Sequence, residues 1–185
     1  MRRLAVSIIA LLVATAASAA TFTVDDPDSG LVGVDAVLGD GICRTATGTC
    51  TVRAALQEAH ATAGPDDIVV PAGLVALVPE GDDTTRITED LRLSGGGEIQ
   101  LAGGAPPDMG TVDAGAVLTL EDITLGGGGF VISGGMLIAR RVTFGEMAAP
   151  GSSLQLGASA RFENCVLRAN TLSLDPGTIG TVILF

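Results

Sequence analysis

Three polar pairs recur inside otherwise apolar sequence: Glu121-Asp122, Arg140-Arg141 and Glu163-Asn164, with Glu89-Asp90 upstream of them. Two converging carboxylates are what hydrolysis of a glycosidic bond requires. Elimination from an acidic polysaccharide requires instead an Arg or Lys base beside a site that neutralises the substrate carboxylate. Both residue types are present, so the chemistry turns on whether they converge. His60 is the single histidine, and no nucleophile-elbow motif accompanies it, which leaves Ser-His-Asp chemistry without support. Asp25, Asp26, Asp28, Asp35 and Asp40 offer the carboxylate oxygens that Ca2+ takes. Their spacing departs from an EF-hand loop, and a solvated acidic loop accounts for them more simply. No other cofactor is expected.

The polar pairs sit in a repeat that must position them. Leu118 to Leu125 (LTLEDITL), Leu137 to Phe144 (LIARRVTF) and Ala160 to Leu167 (ARFENCVL) share one pattern: apolar-x-apolar, two polar residues, apolar-x-apolar. Their starts are 19 and then 23 residues apart. Alternation marks a strand with one buried face. The polar pair interrupts it and marks a bend between two short strands. A simpler apolar-x-apolar pattern, at Phe130 and Ile132, Leu154 and Leu156, and Leu172 and Leu174, supplies a third strand. Strand units at a period of about 20 residues read as a solenoid. The predicted fold is all-β: a right-handed parallel β-helix with a short N-terminal capping α-helix.

Stacked turns about 4.8 Å apart place equivalent side chains in columns. Ile123, Val142 and Cys165 are expected to form one interior ladder, and Leu125, Phe144 and Leu167 the next. Outside, Glu121, Arg140 and Glu163 form one ladder, with Asp122, Arg141 and Asn164 beside it. Acid over base over acid contributes roughly 0.2–1 kcal/mol per neighbouring pair. The competing reading is a solvated face whose signs alternate by chance. In the ladder reading the arginines neutralise the acids of the adjacent turn, and the cluster is structural rather than catalytic.

Residues 1–19 read as a secretory signal peptide: Arg2 and Arg3, an apolar run from Leu4 to Val13, and an A-x-A cleavage site at Ala17-Ser18-Ala19. The apolar run is too short for a transmembrane helix, and no Cys follows it to carry a lipid anchor. No transmembrane segment is expected after cleavage. Residues 20–64 are assigned to an N-terminal cap and residues 65–185 to β-helix coils. Without the leader, 8 arginines stand against 21 acids, a net charge of −13, and the chain has no Lys. So acidic a chain is a poor partner for nucleic acid or an anionic membrane. Aromatics are only 3%, with no Trp or Tyr, which removes the usual stacking surface of a lectin.

In an exported chain, Cys43 and Cys50 read as a local disulfide worth about 2–3 kcal/mol. Cys165 is left over, as a small interior hydrophobe or, less favoured, an intermolecular partner. Thr51 to Ala63 is the one convincing helix, with Thr51 as N-cap and Gly64 as the C′ residue. Val52, Ala55, Leu56 and Ala59 share a face, as a lid over the open end of a solenoid needs. The run Asp40 to Gly73 (DGIC…CTVRAALQEAHATAGPDDIVVPAG) resembles the CSLREA domain, a module at the N-terminus of exported bacterial β-helix proteins. The resemblance extends over roughly Thr21 to Leu101. The family's hexapeptide is matched by Cys50, Thr51, Val52, Arg53, Ala54 and Ala55. Ala54 stands where the family has Glu, so half of a capping box is missing. His60 stands where Asn is usual. The resemblance implies export and a pectin-lyase-like β-helix, and no particular catalytic activity.

First coils are expected from Leu74, Val75 and Leu77, then Leu91 and Leu93, then Ile99 and Leu101, with turns at Gly81-Asp82-Asp83 and Gly95-Gly96-Gly97. Ala102 to Gly115, with Asp108 and Asp113, reads as a surface loop. Thr171 to Phe185 shows no polar cap, so either the tail folds back or another chain covers that end, which makes self-association there an option. The sequence thus favours a secreted, non-catalytic scaffold or binding module, extracellular or at the cell surface, with the periplasm as an alternative. Its partner would be an extracellular glycan or a surface protein. A small carbohydrate-active lyase or hydrolase is the rival reading.

Overall fold

A computed structural model describes residues 19–27, 33–79, 86–102, 111–127, 130–132, 134–145, 154–156, 159–168, 172–174 and 182–184. Residues 1–18, Asp28, the expected turn at 81–83 and Asp108 lie outside them, as do most residues after 168. Strand β1 (Thr21–Thr23) precedes helix α1 (Val52–Ala61), followed by β2 (Asp66–Val69), β3 (Val75–Pro79), β4 (Leu91–Ser94) and β5 (Glu98–Ala102). The repeat region contributes β6 (Val117–Glu121), β7 (Thr124–Gly127), β8 (Phe130–Ile132), β9 (Met136–Arg140), β10 (Thr143–Phe144) and β11 (Leu154–Leu156). The last strands are β12 (Ser159–Glu163), β13 (Val166–Leu167), β14 (Leu172–Leu174) and β15 (Val182–Leu184).

These strands form three parallel sheets. Seven strands run in the order β1-β2-β4-β6-β9-β12-β15, five in the order β3-β5-β7-β10-β13, and three in the order β8-β11-β14. Each sheet therefore gains its strands in chain order. The register aligns Glu121 with Arg140 and Arg140 with Glu163. It also aligns Leu125 with Phe144 and Phe144 with Leu167. In the three-stranded sheet Phe130, Leu154 and Leu172 are partners, as are Ile132, Leu156 and Leu174.

The bend from the seven-stranded to the five-stranded sheet tightens along the chain. Five residues separate β2 from β3 and three separate β4 from β5, but only two separate β6 from β7, β9 from β10 and β12 from β13. A two-residue bend needs a left-handed residue, and Asp122, Arg141 and Asn164 supply it with φ of 52°, 54° and 53°. The three-residue bend uses glycine. A Cβ on Gly95 would lie 2.5 Å from the Val70 carbonyl oxygen, and its φ is +117°. The tight bends are themselves hydrogen-bonded to one another: the Asp122 N–H donates to Arg140 O at 3.1 Å, and Arg141 N–H to Glu163 O at 2.9 Å.

The core lies between the sheets. Ile68, Leu93, Leu120, Ala139 and Phe162 are register partners in adjacent strands, and all are buried. Ile123 and Val142 are buried beside Leu125 and Phe144, while Cys165 and Leu167 are half-buried and pack against the same core. Phe144 meets Phe162 edge to face at 5.8 Å. Strand β3 departs from the expected coil facing. Ala76 and Val78 point inward, while Val75 and Leu77 are 42% and 43% exposed. Every residue of the VALV run is apolar, so its own periodicity carries no information about which face is buried.

Helix α1 packs on β2 and β3. Thr51 is its N-cap, with Oγ1 accepting from Ala54 N–H at 3.0 Å and donating to Gly33 O at 2.6 Å. Its C-terminus differs from expectation. The helix ends at Ala61 with Thr62 as C-cap, so Gly64 is not the C′ residue. Thr62 leaves the helical conformation at φ −101° and ψ 141°, with its N–H on Glu58 O at 3.1 Å and its hydroxyl within hydrogen-bond distance of Asp66 Oδ2 at 3.0 Å. Gly64 lies in the exit loop, donating to Glu89 Oε2 at 3.0 Å.

Candidate charged site on the seven-stranded sheet

Outward positions of β2, β4, β6, β9 and β12 carry the charges that the tight bends bring to one rim. Arg92, on β4, links the strands on either side of it: Nη1 donates to Asp67 Oδ2 on β2 at 2.6 Å and Nη2 to Glu121 Oε2 on β6 at 2.8 Å. Arg141 reaches back one turn to both acids of the preceding bend, with Nη2 on Glu121 Oε1 at 2.7 Å and Nε on Asp122 Oδ1 at 2.6 Å. Glu163 is held by Arg140 Nε at 3.2 Å and by Arg161 Nη2 at 2.6 Å. The result is a chain Asp67–Arg92–Glu121–Arg141–Asp122, with a second group Arg140–Glu163–Arg161 beyond it.

The ladder differs in detail from simple vertical alternation. Arg140 is the register partner of Glu121, yet Glu121 binds Arg92 and Arg141. Left-handed φ at Arg141 aims its side chain back over the previous bend, and the two carboxylates there accept its fork. Hydrogen bonds from Arg92 and then Arg141 hold the Glu121 carboxyl below the ordinary glutamate range. The Arg141 hydrogen bonds do the same for Asp122. The partners in turn raise the guanidinium values of Arg92 and Arg141. Asn164 is exposed at the third bend and brings no charge.

A cleft of about 270 Å3 opens beside this rim, lined by Pro65, Asp66, Asp90, Arg92, Val117 and Thr119, among others. Its carboxylates already accept hydrogen bonds: Asp90 Oδ1 from Val117 N–H at 2.9 Å, and Asp66 from Ala20 N–H and the Thr62 hydroxyl. Glu89 Oε2 accepts from Gly64 N–H at 3.0 Å. Asp113 pairs with Arg86 at 2.9 Å. Each of these carboxylates therefore has a protein partner.

The acids of the N-terminal segment also bind protein donors. Asp25 Oδ1 accepts from Cys50 N–H at 2.7 Å, Asp26 Oδ2 from the Thr49 hydroxyl at 2.7 Å, and Asp40 Oδ1 from Ile42 N–H at 2.9 Å. Asp35 takes Val37 N–H on one oxygen and Arg44 N–H on the other, both at 2.8 Å. Cys43 and Cys50 form a disulfide with Cα atoms 5.3 Å apart. Cys165 has its thiol 3.3 Å from Ala139 O. Burial lowers the His60 pKa, with Glu89 and Asp66 pulling the other way.

Glu58 has no counterpart in the sequence reading. It is fully buried on α1 and accepts from Gly39 N–H at 2.7 Å and Gly41 N–H at 2.5 Å, tying the 39–41 loop to the helix. The glycine spacing of GDG opposite an acid on the following helix is the only sequence signal of that anchor. Comparison with known proteins returns no family model, no curated protein and no solved structure that matches the chain.

Proposed function

We propose that the chain is an exported, non-catalytic scaffold or binding module built as a right-handed parallel β-helix, acting at the cell surface or outside the cell. Three parallel sheets that each gain strands in chain order support the β-helix reading. Parallel connections are nearly always right-handed, which supports the hand. The disulfide and the A-x-A motif after an apolar run favour an oxidising, exported setting. The helix over residues 52–61 and its Thr51 cap are consistent with a CSLREA-like N-terminal module.

The observation that carries the non-catalytic reading is the closure of the rim charges on one another. Asp67, Arg92, Glu121, Arg141 and Asp122 satisfy each other between turns. Such a rim presents alternating charge to an extracellular glycan or surface protein without a free acid–base pair. The test is a panel of anionic and neutral polysaccharides, scored separately for binding and for cleavage. Binding without cleavage is expected. Cleavage that disappears in Asp122→Asn or Arg140→Ala contradicts the reading and favours a small carbohydrate-active enzyme.

A further inference from the structure

Asp66 occupies an anomalous place. Its register partner is Leu91, and the column continues through Leu118, Leu137 and Ala160, all apolar and all buried. Asp66 itself is only 4% exposed. A carboxylate buried at the head of an apolar column needs strong compensation. Among the described residues two groups reach it: the Thr62 hydroxyl at 3.0 Å and the backbone nitrogen of Ala20 at 2.8 Å. His60 also lies near Asp66, but burial works against its protonation, and Arg92, in the same cleft, is engaged by Asp67 and Glu121.

Ala20 is also the residue that follows the A-x-A motif Ala17-Ser18-Ala19. We infer that the Ala19–Ala20 bond is a processing site, and that the α-ammonium it releases docks on Asp66 as a buried ion pair that completes the fold. The inference rests on the export reading above. Hydrolysis adds one water across the bond, leaving a carboxylate on Ala19 and an amine on Ala20 that takes up a proton. Before cleavage the same nitrogen is an amide and donates one neutral hydrogen bond. After cleavage it brings a full charge to the one buried carboxylate in the column. The neighbouring backbone holds it there: Asp67 N–H donates to Ala20 O at 2.9 Å, and Thr21 pairs with Asp67 at the start of the sheet. Ala19 is exposed, while Ala20 is half-buried and anchored. Asp66 is therefore the receptor for the mature N-terminus, and the uncut precursor lacks this pair.

The absence of Lys makes the α-amine the sole primary amine of the processed chain. The full chain is expressed with its own leader in an exporting bacterium, and the product is weighed intact. The mass expected is that of a chain beginning at Ala20. The amine is then acetylated in the folded protein and in urea. An opposite charge this close shifts a titrating amine by about one to three pH units, so folding should slow acetylation about tenfold or more. Acetylation, which removes the charge, should raise the unfolding constant about tenfold, whereas reductive methylation, which keeps the charge, should leave it unchanged. Asp66→Asn should abolish the difference between the two modifications. The rate comparison stands even if that variant does not fold. A chain that begins at Ala20 but acetylates equally fast folded and unfolded overturns the proposal alone. A chain that begins elsewhere overturns both the proposal and the leader on which it rests.

Discussion

Arg141 sits one turn beyond Asp122 at the same place in the bend, and its guanidinium clamps that carboxylate with Nε on Oδ1 at 2.6 Å and Nη2 on Oδ2 at 2.7 Å. Both residues hold left-handed backbone, at φ 54° and 52°. The two facts are connected. A two-residue bend requires a left-handed residue, and stacking the bends brings those residues' side chains together. Asp tolerates that conformation better than Arg does. The clamp therefore offsets at Arg141 a backbone conformation that its side chain alone does not favour.

Asn164 isolates the backbone part of this effect, because it holds φ 53° and carries no charge. Asn164→Gly is expected to leave stability within about 0.5 kcal/mol. Asn164→Ala should destabilise by about 1 kcal/mol, since among residues that carry a Cβ, Asn tolerates the left-handed region better than Ala does. Urea denaturation of the two variants measures the difference, which vanishes if the bend does not need that φ.

Acid should weaken the rim. The carboxyls of Glu121 and Asp122 are held below their ordinary values in the folded chain. For groups depressed by folding, the stabilisation is fully present above the unfolded value, about pH 4, and is lost as pH falls through the folded value. Melting temperature should therefore fall on acidification below about pH 4, and Glu121→Gln should flatten that fall. The effect is exposed to solvent, so high salt should shrink it. A profile equally steep in Glu121→Gln places the acid sensitivity elsewhere.

Glu58 predicts the largest single-residue cost outside the apolar core. Glu58→Ala leaves the N–H groups of Gly39 and Gly41 without their acceptor and should destabilise by about 2–4 kcal/mol. Glu58→Gln retains the shape but offers one acceptor oxygen for two donors, so a smaller loss is expected. Hydrogen exchange at the two glycine amides is the discriminating readout: both should exchange fast in Glu58→Ala and slowly in the parent protein.

The repeat was legible because each tight unit announces itself twice, by alternation and by the polar pair that interrupts it. The registers Glu121–Arg140–Glu163 and Leu125–Phe144–Leu167 follow from aligning those pairs. Arg92 carries no such sequence signal, because its partners, Asp67 and Glu121, become neighbours only once β2 and β6 flank β4. The facing of β3 was illegible because an unbroken apolar run has no period. The end of α1 is not legible in sequence: Gly64 is the conventional stop, whereas the chain leaves the helix at Thr62, whose hydroxyl lies 3.0 Å from Asp66, a contact the sequence alone does not suggest. A buried glutamate on a helix reads as a solvated one until the loop that it binds is known.

Stacked turns make one direct demand: side chains 19 residues apart must touch inside the protein, as Ile123 and Val142 are placed to do. In a methyl-labelled sample, the nuclear Overhauser cross-peak between the Ile123 δ-methyl and the Val142 γ-methyls measures that contact. A strong cross-peak, accompanied by one from the Leu125 methyls to the Phe144 ring, is the predicted result. Absence of both, with Ile123 and Val142 contacting separate sets of residues, would contradict the stacking on which the rim, the bends and the proposed function all depend.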